Sequence, residues 1–495
     1  MVENKSTLGI NVKKSENFSE WFTQVCSEQG AKLADIRYGV QGHVVHRPWA
    51  MKILNKIYKM FEDELEADNH DPVLMPTVIP EKHLMKEKEH AGFTPEVFWV
   101  TEAGSKKMNE RVALRPTGET AFYPMYSLWI RSYKDLPLKC YQSRITVFRN
   151  EMTTRPFLRG REFMFFESHD VFATHDEALD QVNKDMKIMN SVVNDKLKIP
   201  YKFFKRPQWD KFKGADDTYA ADSLLPDGRR SQISSTHDLG TRFAKAYNVK
   251  FKDKDSKDKF AFQTCFGPGI WRIMASLISI HGDDNGLVLP LEVAPIHINI
   301  VPITFVKKPD VSKKVIDMCS SIKAKLDKKF SVNIDDSDNS PGFKYNQAEL
   351  MGIPIRIEIG PKDIEKNQVT LVRRTSDQKF SIPIDDIQKS ISEHCKIFEK
   401  ELLERAKEYY DAKTKYVHSL EEAKKVLSEH KGFVVAPFCS LEKDGEQYAD
   451  ILKSETNGGV VCGVPLGQEE KPKDDALCIV SGKKAKHMVW IAKSI

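Results

Sequence analysis

Apolar and polar residues recur along the chain with two different periods, which predict helices and strands respectively. Helical spacing predicts helices over Phe18 to Gln29, Pro48 to Asn69, His175 to Lys196 and the apolar segment IWRIMASLISIHG. Strands are predicted at DPVLMPTVIP, WVTEAG, VALRPTGET, LKCYQSRITVFRNE, FMFFESHDVFA, Arg230 to Thr236 and AFQTCFGPG. Because turns separate most of these strands, the first 290 residues predict an antiparallel sheet of the α+β class.

Three details of this region carry their own predictions. Pro76 within DPVLMPTVIP favours an edge position, since proline cannot donate to a sheet on both sides. The stretch from Arg206 to Arg230 is rich in turn residues, and no strand is predicted within it. After Thr236, a charged helix and a solvated loop are predicted around KFKDKDSKDK.

From Pro295 onward, strands alternate with helices, which predicts an α/β domain with a partly parallel sheet. Its predicted elements are the strands HINIVPI, SVNIDDSD, PIRIEIG and QVTLVRR, the helices Val311 to Lys329 and FKYNQAELMG, and a long helix from Asp385. A small C-terminal α/β domain follows, with strands VVAPFC, GVVCGVPL and HMVWIAK. The predicted domains are therefore residues 1–290, 291–405 and 406–495.

Composition narrows the class of protein. A chain of 495 residues with 40% hydrophobic and 30% charged residues is typical of a globular protein with several domains. No run of about 18 apolar residues predicts a membrane span, and the N-terminus lacks the apolar core of a secretion signal. Eight cysteines without a CxxC pair favour free thiols and a cytoplasmic location. A net charge of +5 is compatible with nucleic-acid binding but does not establish it.

The candidate chemistry begins at an arginine-rich hairpin. Its first strand leads into Arg149 and Glu151, and the loop after it carries Arg155, Arg159 and Arg161. An arginine fork held at the end of a strand matches phosphate oxygens in geometry and charge. The alternative, for this segment alone, is a solvated basic turn. The glycine-rich nucleotide motifs GxGxxG and GxxxxGK[ST] are absent from the sequence.

An ordered set of motifs resembles the class II aminoacyl-tRNA synthetases: RPTGET, then FRNE with FLRGRE, then the glycine turn ending at Arg272. Further segments, RPQWDKFKGAD, STHDLG, TCFGPG and HGDDNGLVLP, resemble the prolyl-tRNA synthetase family of the eukaryotic/archaeal type. SPGFKYNQAELMGIPIRIEIGPKDIE resembles that family's anticodon-binding domain. The resemblance implies a class II antiparallel-sheet catalytic domain, an α/β anticodon-binding domain and a small C-terminal domain. It also implies activation of L-proline with ATP and transfer to tRNA(Pro).

Activation joins a carboxylate to the α-phosphate of ATP, so the protein must place two anions in line and neutralise the developing charge. Arg149 is the candidate for bridging the proline carboxylate and the α-phosphate. Arg272 is expected at the γ-phosphate and Arg159 at the β/γ region, while Glu151 would accept from the adenine amino group or help to hold a metal. The alternative for Arg272 is a salt bridge at a helix start.

The resemblance assigns the proline pocket by position. Thr117 and Glu119 would meet the proline amine, and Glu119 supplies the negative charge that a secondary ammonium needs. His237 would close the pocket, with Phe165 and Phe212 as apolar walls. Plain core packing is the alternative for both phenylalanines.

Gln232 and Ser235 would contact ATP, with Gln232 also near Mg²⁺, and two or more Mg²⁺ ions are expected from the phosphate charge. A pocket that must distinguish one methylene gains only about 1–3 kcal/mol, so alanine and cysteine are candidate misactivated substrates. The span from His169 to Arg272 has no room for an inserted domain of about 50 residues, which predicts no editing in cis.

The α/β domain is expected to read the anticodon through Glu349, Arg356 and Lys362, with solvated surface charges as the alternative. The resemblance further implies a homodimer built partly on the segment from Pro48 to Pro80, which contains class II motif 1.

Three features depart from the family pattern. The turn CFGPGIW is one residue longer, which leaves the register of the neighbouring ATP contacts open. Cys439, Cys462 and Cys478 form neither a CxxC nor a CxC pair, and a closed structural site takes four ligands, so no zinc is expected. The chain ends in Ile495 where relatives commonly end in tyrosine, so only the terminal carboxylate could keep a role.

Two alternatives to the resemblance remain: a non-catalytic tRNA-binding paralogue, and a class II enzyme of other specificity such as threonyl. Intact Arg149, Glu151, Arg159 and Arg272 favour a catalyst over a paralogue. The threonyl pocket uses zinc, and the sequence offers no convincing ligand set for it.

Overall fold

The computed structural model describes residues 9–91, 96–376, 378–467 and 470–495. Its helices are α1 (Phe18–Cys26), α2 (Pro48–Ala67), α3 (Glu81–Ala91), α4 (Glu119–Trp129), α5 (His175–Met189), α6 (Arg242–Tyr247), α7 (Ile270–His281), α8 (Pro309–Leu326), α9 (Pro341–Leu350), α10 (Pro361–Glu365), α11 (Ile387–Ala412), α12 (Leu420–Lys425) and α13 (Glu446–Glu455). A wide helical turn, Asn190–Lys196, continues α5.

Strands in the N-terminal part are β1 (Ala34–Asp35), β2 (Val45–His46), β3 (Asp71–Pro72), β4 (Val78–Pro80), β5 (Trp99–Ala103), β6 (Lys106–Leu114), β7 (Leu138–Phe148), β8 (Glu162–Phe172), β9 (Lys202–Lys205), β10 (Asp217–Leu224), β11 (Arg230–Gly240), β12 (Lys250–Lys252), β13 (Asp258–Phe260) and β14 (Phe262–Pro268). Those that follow are β15 (Ile298–Pro302), β16 (Val332–Ile334), β17 (Ile355–Ile359), β18 (Gln368–Arg373), β19 (Lys379–Pro383), β20 (Thr414–Tyr416), β21 (Phe433–Phe438), β22 (Gly459–Pro465) and β23 (His487–Lys493).

An eleven-stranded sheet carries the candidate site, in the order β20-β21-β23-β22-β9-β10-β11-β14-β8-β7-β3. All its neighbouring pairs are antiparallel except the two edge pairs, β3 with β7 and β20 with β21. The antiparallel α+β prediction is therefore confirmed. Pro76, for which the sequence favours an edge position, lies between β3 and β4 and belongs to neither strand. Strand β22 pairs with β9 through Val464 opposite Lys205, so the sheet of the C-terminal segment continues the sheet of the first 290 residues.

The main core lies where α2 and α7 cover this sheet. Helix α2 begins at Pro48, whose fixed φ suits the first helical position, and its buried side chains recur at helical spacing, including Ile53, Ile57 and Phe61. Helix α7 is buried on nearly all sides, as its apolar sequence predicts. Together they fix the start of α7, where Arg272 lies, against the strands that form the floor of the site.

The α/β domain has a five-stranded sheet in the order β16-β15-β17-β18-β19. β15 pairs in parallel with both β16 and β17, and β17–β18 and β18–β19 are antiparallel. The prediction of a partly parallel sheet is confirmed. Helices α8 and α9 supply the crossovers that parallel neighbours require.

Three local predictions are wrong. The region from Arg206 to Arg230 contains the eight-residue strand β10, which is ordered because it pairs with β9 on one side and β11 on the other. For KFKDKDSKDK a charged helix and loop are predicted; the segment is largely exposed as expected, but it forms the hairpin β12–β13, with Lys252 paired to Asp258 at 3.1 Å. DPVLMPTVIP is not one strand: it forms β3 and β4, which belong to different sheets. In the part of the chain that is described, no helix combines the length and apolar character needed to cross a membrane.

Candidate active site

The arginine-rich loop between β7 and β8 is anchored rather than solvated. Its base is closed by the Arg149 N–H, which donates to the Arg161 carbonyl at 2.9 Å, and its turn by the Arg155 N–H on the Arg159 carbonyl at 2.7 Å. Phe157 at the tip is fully buried and contacts the ring of Trp271 at 5.8 Å between centroids. Burial of an aromatic side chain in the loop fixes the directions of the arginines on either side.

Arg149 and Arg272 line the same cavity, although 123 residues separate them in the sequence, and they share it with Glu151, Arg159, Gln232 and Ser235. Arg272 lies in the first turn of α7 and donates through Nη1 to the Gln232 carbonyl at 3.2 Å. Of the residues described, no carboxylate pairs with Arg272, so the salt bridge weighed as an alternative is not formed.

The positive charges that line this cavity favour the binding of an anion. Burial, followed by the positive charges of Arg149 and Arg159, lowers the pKa of Arg272 to about 10. Partial desolvation in the cavity also lowers the pKa of Arg149, against the opposing effects of Glu151 and Glu119, although the residue as a whole is exposed to solvent. Cations that lie close together repel one another, and a bound polyanion would relieve the repulsion.

Arg159 has two acidic partners. Its Nη1 lies 3.6 Å from Glu151 Oε2, and its Nη2 donates to the main-chain oxygen of the C-terminal Ile495. The chain end is fixed in place, because the Ile495 N–H donates to the Arg230 carbonyl at 3.2 Å. Ile495, whose role the sequence left open, therefore lies at the rim of the arginine cavity.

A second cavity adjoins the first and shares Arg149, Phe165, Gln232 and Ser235 with it. It also contains the other predicted contacts of a small amino acid: Thr117, Glu119, Phe212 and His237. The Thr117 hydroxyl donates to Glu119 Oε2, and the Glu119 side chain is almost wholly buried. A buried carboxylate at the floor of a cavity suits a cationic amine.

His237 is held as a neutral ring. Thr218 Oγ1 accepts from the Phe212 N–H at 2.9 Å and lies 2.9 Å from His237 Nδ1, while His237 Nε2 lies 3.0 Å from Ser235 Oγ. Burial, and then the charge of His169, lowers the pKa of His237 to about 3. The ring of Phe212 lies 4.8 Å from it and forms part of an apolar wall.

Below this cavity, potential ligand atoms of Glu119, His169 and Cys265 lie within 4.8 Å of one another, a group that sequence reasoning did not find. Each already has a partner in the protein. The Cys265 thiol donates to Glu119 Oε1 at 3.7 Å, and the two nitrogens of His169 contact Tyr123 and Glu167. The group is thus joined by its own hydrogen bonds.

Oxygen donors for Mg²⁺ in the arginine cavity come from Glu151 and Gln232. Gln232 Oε1 accepts from Arg206 Nη2 at 3.2 Å, and the Glu151 side chain is 27% exposed. Mg²⁺ usually takes one or two protein oxygens and completes its shell with phosphate and water, and this small donor set fits that pattern.

The three C-terminal cysteines do not meet at one point. Cys439 and Cys478 contact each other through their side chains in the core of the C-terminal segment. Cys462 lies in a different cluster beside Trp490, and its carbonyl accepts from Arg206 Nη1 at 2.8 Å.

The predicted anticodon residues are only partly together. Glu349 and Arg356 line one small cavity and pair at 2.8 Å, and Arg356 lies over the ring of Tyr345. Lys362, at the start of α10, is exposed and does not line that cavity. Sequence reasoning missed Arg374, which lines it and pairs with Asp283.

Comparison with protein families gives three successive matches. Residues 98–281 match the tRNA synthetase class II core domain (G, H, P, S and T), and residues 293–394 match the anticodon binding domain. Residues 420–495 match the model described as prolyl-tRNA synthetase, C-terminal.

Curated relatives match over almost the whole chain. The proline–tRNA ligase of Thermofilum pendens is 50% identical over 492 residues, which cover 99% of this chain and 100% of the relative. That of Pyrococcus abyssi is 39% identical, covering 97% and 98% of the two chains.

Solved structures agree in fold along the full length. The prolyl-tRNA synthetase of Giardia lamblia, in complex with prolyl-adenylate, superposes with a TM-score of 0.92 at 34% identity and covers 98% of this chain and 100% of its own. The Cryptosporidium parvum enzyme, complexed with halofuginone and AMPPNP, has a TM-score of 0.90 at 31% identity and covers 100% and 99%.

Proposed function

The chain belongs to the prolyl-tRNA synthetase family, class II and archaeal/eukaryotic in type, and we infer from this that it ligates L-proline to tRNA(Pro) at the expense of ATP. The first step forms a bond between a proline carboxylate oxygen and the α-phosphorus of ATP and breaks the bond to pyrophosphate. The second transfers the prolyl group to a terminal hydroxyl of the tRNA and releases AMP.

We propose that Arg149 is the central catalytic residue of activation. Among the described residues, it is the one guanidinium that lines both the arginine cavity and the amino-acid cavity, so it can contact the proline carboxylate and the α-phosphate at once. Arg272 and Arg159 then receive the β- and γ-phosphates, and Glu151 meets the adenine amino group or a metal. The observation that carries this proposal is the convergence of Arg149, Arg159 and Arg272 on one cavity beside a carboxylate-lined pocket.

The amino-acid cavity is proposed to bind proline through charge and shape. Glu119 accepts from the secondary ammonium, helped by the Thr117 hydroxyl, while Phe165 and Phe212 enclose the flat ring. Neutral His237 closes the pocket without adding a positive charge that would oppose the amine. Discrimination against cysteine and alanine stays modest in such a pocket.

Gln232 and Ser235 are proposed to contact ATP, and Glu151 and Gln232 to hold Mg²⁺ together with the phosphates. The metal would supply positive charge to the triphosphate. No zinc is expected in the C-terminal domain. The span 169–272 contains α5 and strands of the main sheet, which supports the expectation that there is no editing domain in cis.

For the rest of the molecule, we propose catalytic, anticodon-binding and C-terminal domains at 1–290, 291–405 and 406–495. Glu349, Arg356 and Lys362 remain the candidates for anticodon contacts. A homodimer built on the segment from Pro48 to Pro80 is proposed as the working form, since Leu74 (78% exposed) and Val78 (41%) present apolar side chains there. The proposed location is the cytoplasm, where its substrates are found.

The test is amino-acid-dependent exchange of pyrophosphate into ATP, run in parallel with proline, threonine and cysteine, followed by charging of tRNA(Pro). Proline should give the largest kcat/KM. Faster exchange with threonine would contradict the specificity, and exchange with none of them would favour the non-catalytic paralogue.

A further inference from the structure

The loop that carries Thr117 and Glu119 is held by a glutamate beneath it. Gly118 lies between these two residues, and its N–H donates to Glu167 Oε2 at 3.1 Å. The approach is so close that a Cβ on Gly118 would lie 2.6 Å from the carboxyl carbon of Glu167. The glycine of the RPTGET motif is therefore required by packing against Glu167, a residue to which the sequence assigned no role.

Glu167 is wholly buried, and its two carboxylate oxygens contact three neighbouring groups. Oε1 accepts from Gln142 Nε2 at 2.7 Å, and Oε2 accepts from the Gly118 N–H and contacts His169 Nε2 at 3.2 Å. Although Glu167 lines the amino-acid cavity, its oxygens already accept these bonds. It therefore acts on a bound amino acid through the loop.

Arg115, the arginine of the RPTGET motif, contacts Gln142, which in turn donates to Glu167. Arg115 is buried and donates to the carbonyls of Thr146 and Met75 at 3.0 and 2.9 Å. It also donates to Gln142 Oε1 at 3.3 Å. Because the amide oxygen of Gln142 faces Arg115, its amide nitrogen must face Glu167, which fixes the orientation of the amide.

His169 is the third partner of Glu167. Burial lowers the pKa of His169, but the hydrogen bond to Glu167 and the charges of Glu167 and Glu119 outweigh burial and raise it. The second nitrogen, Nδ1, contacts the Tyr123 hydroxyl at 3.0 Å. The wholly buried His169 ring thus links Glu167 to Tyr123 beneath the amino-acid cavity.

We propose that Glu167 is a positioning residue for amino-acid specificity: it holds Gly118, and with it the loop of Thr117 and Glu119, in the orientation that meets the amine of the substrate. The inference rests on the proposed function. It predicts an effect confined to proline, because Glu167 does not line the arginine cavity that is proposed to take ATP.

The test measures the KM for proline and the KM for ATP separately by pyrophosphate exchange. In Glu167→Gln, the amide nitrogen opposes either the Gly118 N–H or the Gln142 amide, so a buried donor is left unsatisfied. The KM for proline should rise about tenfold or more, and the KM for ATP should change by less than about twofold. Gly118→Ala displaces the same contact from the other side and should give the same split.

A double variant that exchanges the side chains of residues 142 and 167 distinguishes a positioning role from a general loss of folding. In the double variant Gln142→Glu/Glu167→Gln, the carboxylate faces Arg115 and the amide faces Gly118, so the donors and acceptors match again. It should recover most of the proline affinity lost in Glu167→Gln. A merely structural role would not produce a loss confined to proline.

Glu399→Gln is the matched control, since Glu399 also accepts a distant backbone N–H, that of Leu291 at 2.7 Å, but lies outside both cavities. It should leave both KM values unchanged. An unchanged proline KM in Glu167→Gln and Gly118→Ala, or an equal rise in both KM values, would overturn the inference. Proline-dependent exchange by the wild type tests the proposed function, so the two can fail separately.

Discussion

Arg149, at the end of β7, and Arg272, in the first turn of α7, line one cavity, and the charge of the first lowers the pKa of the second. The relationship depends on tertiary structure: the β7–β8 hairpin supplies one guanidinium and the helix that follows β14 supplies the other. A single extended polyanion can contact both. This arrangement, with a carboxylate-lined pocket beside Arg149, is what the proposed adenylate chemistry requires.

The first prediction concerns Arg149. Arg149→Ala should lower proline-dependent pyrophosphate exchange by about 10²–10³-fold, because a preorganised charge aimed at the transition state is worth about 3–4 kcal/mol. The melting temperature should be preserved, since Arg149 is exposed to solvent and the substitution removes a positive charge that lies close to others of the same sign. Arg149→Lys should remain impaired, because lysine cannot reproduce the bidentate fork. Full activity in Arg149→Lys would argue for charge alone.

Arg159 should act on ATP and not on proline. Arg159→Ala should raise the KM for ATP several-fold and leave the KM for proline nearly unchanged, since its side chain lines the first cavity only. Arg155→Ala is the control from the same loop, because Arg155 donates to the Ser19 carbonyl at 2.6 Å and lines neither cavity. Equal effects of the two substitutions would mean that loop anchoring, and not phosphate contact, is being measured.

The buried ion network around Asp222 lies close to the C-terminal junction, where β22 of the C-terminal segment joins the main sheet at β9. This network should contribute strongly to the stability of the fold. Asp222 is fully buried and accepts from Arg206 at 2.8 and 2.7 Å and from Arg230 at 2.8 Å. Removing its charge leaves two buried guanidiniums uncompensated, so Asp222→Asn should destabilise the fold by about 3–5 kcal/mol. Thermal unfolding measures this directly.

Asp253→Asn provides the contrast for that experiment, because Asp253 pairs with Lys259 on the exposed β12–β13 hairpin. Its melting temperature should match that of the wild type. Similar losses in the two variants would show that burial of the Asp222 network is not what stabilises the junction.

The pH dependence of stability should contain a contribution from Asp185. Burial, and then the charge of Asp170, raises the pKa of Asp185 to about 8, while an unfolded aspartate titrates near 3.9. Between these values the unfolded state is ionised and the folded state holds the proton, so this group makes stability fall as pH rises, by up to about 1.4 kcal/mol per unit.

Asp185→Asn removes that titration. Relative to the wild type, the variant should gain melting temperature progressively from pH 5 to pH 8. A constant difference between the two proteins over this range would show that Asp185 does not bind a proton in the fold.

The sequence predicts the helices and strands whose own residues show a strong apolar period. The β7–β8 hairpin, α2, α5 and α7 have strong apolar periods and occur where expected. Strand β10 was missed because DTYAADSL is poor in β-branched residues, and its order comes from pairing with β9 and β11, which are distant contacts. Local strand propensity does not include the stabilisation that comes from pairing with two neighbouring strands.

The residues of the candidate site likewise include some that the sequence could predict and some that it could not. Residues in recognisable motifs, such as Arg149, Glu119 and His237, could be named from the sequence and lie in the two cavities. Glu167 could not be assigned, because its role depends on the register that places Gln142 opposite it across β7 and β8. The contact between Arg159 and Ile495 was equally out of reach, since it depends on β22 joining the main sheet at β9.

The most direct test of the central claim is a crystal structure with proline and a non-hydrolysable ATP analogue bound together. Guanidinium nitrogens of Arg149, Arg159 and Arg272 should each lie about 3 Å from oxygens of one triphosphate, with Arg149 also contacting the proline carboxylate and Glu119 the amine. If the triphosphate contacts Arg149 while Arg272 faces a different space, or if the proline amine lies away from Glu119, the proposed mechanism is contradicted.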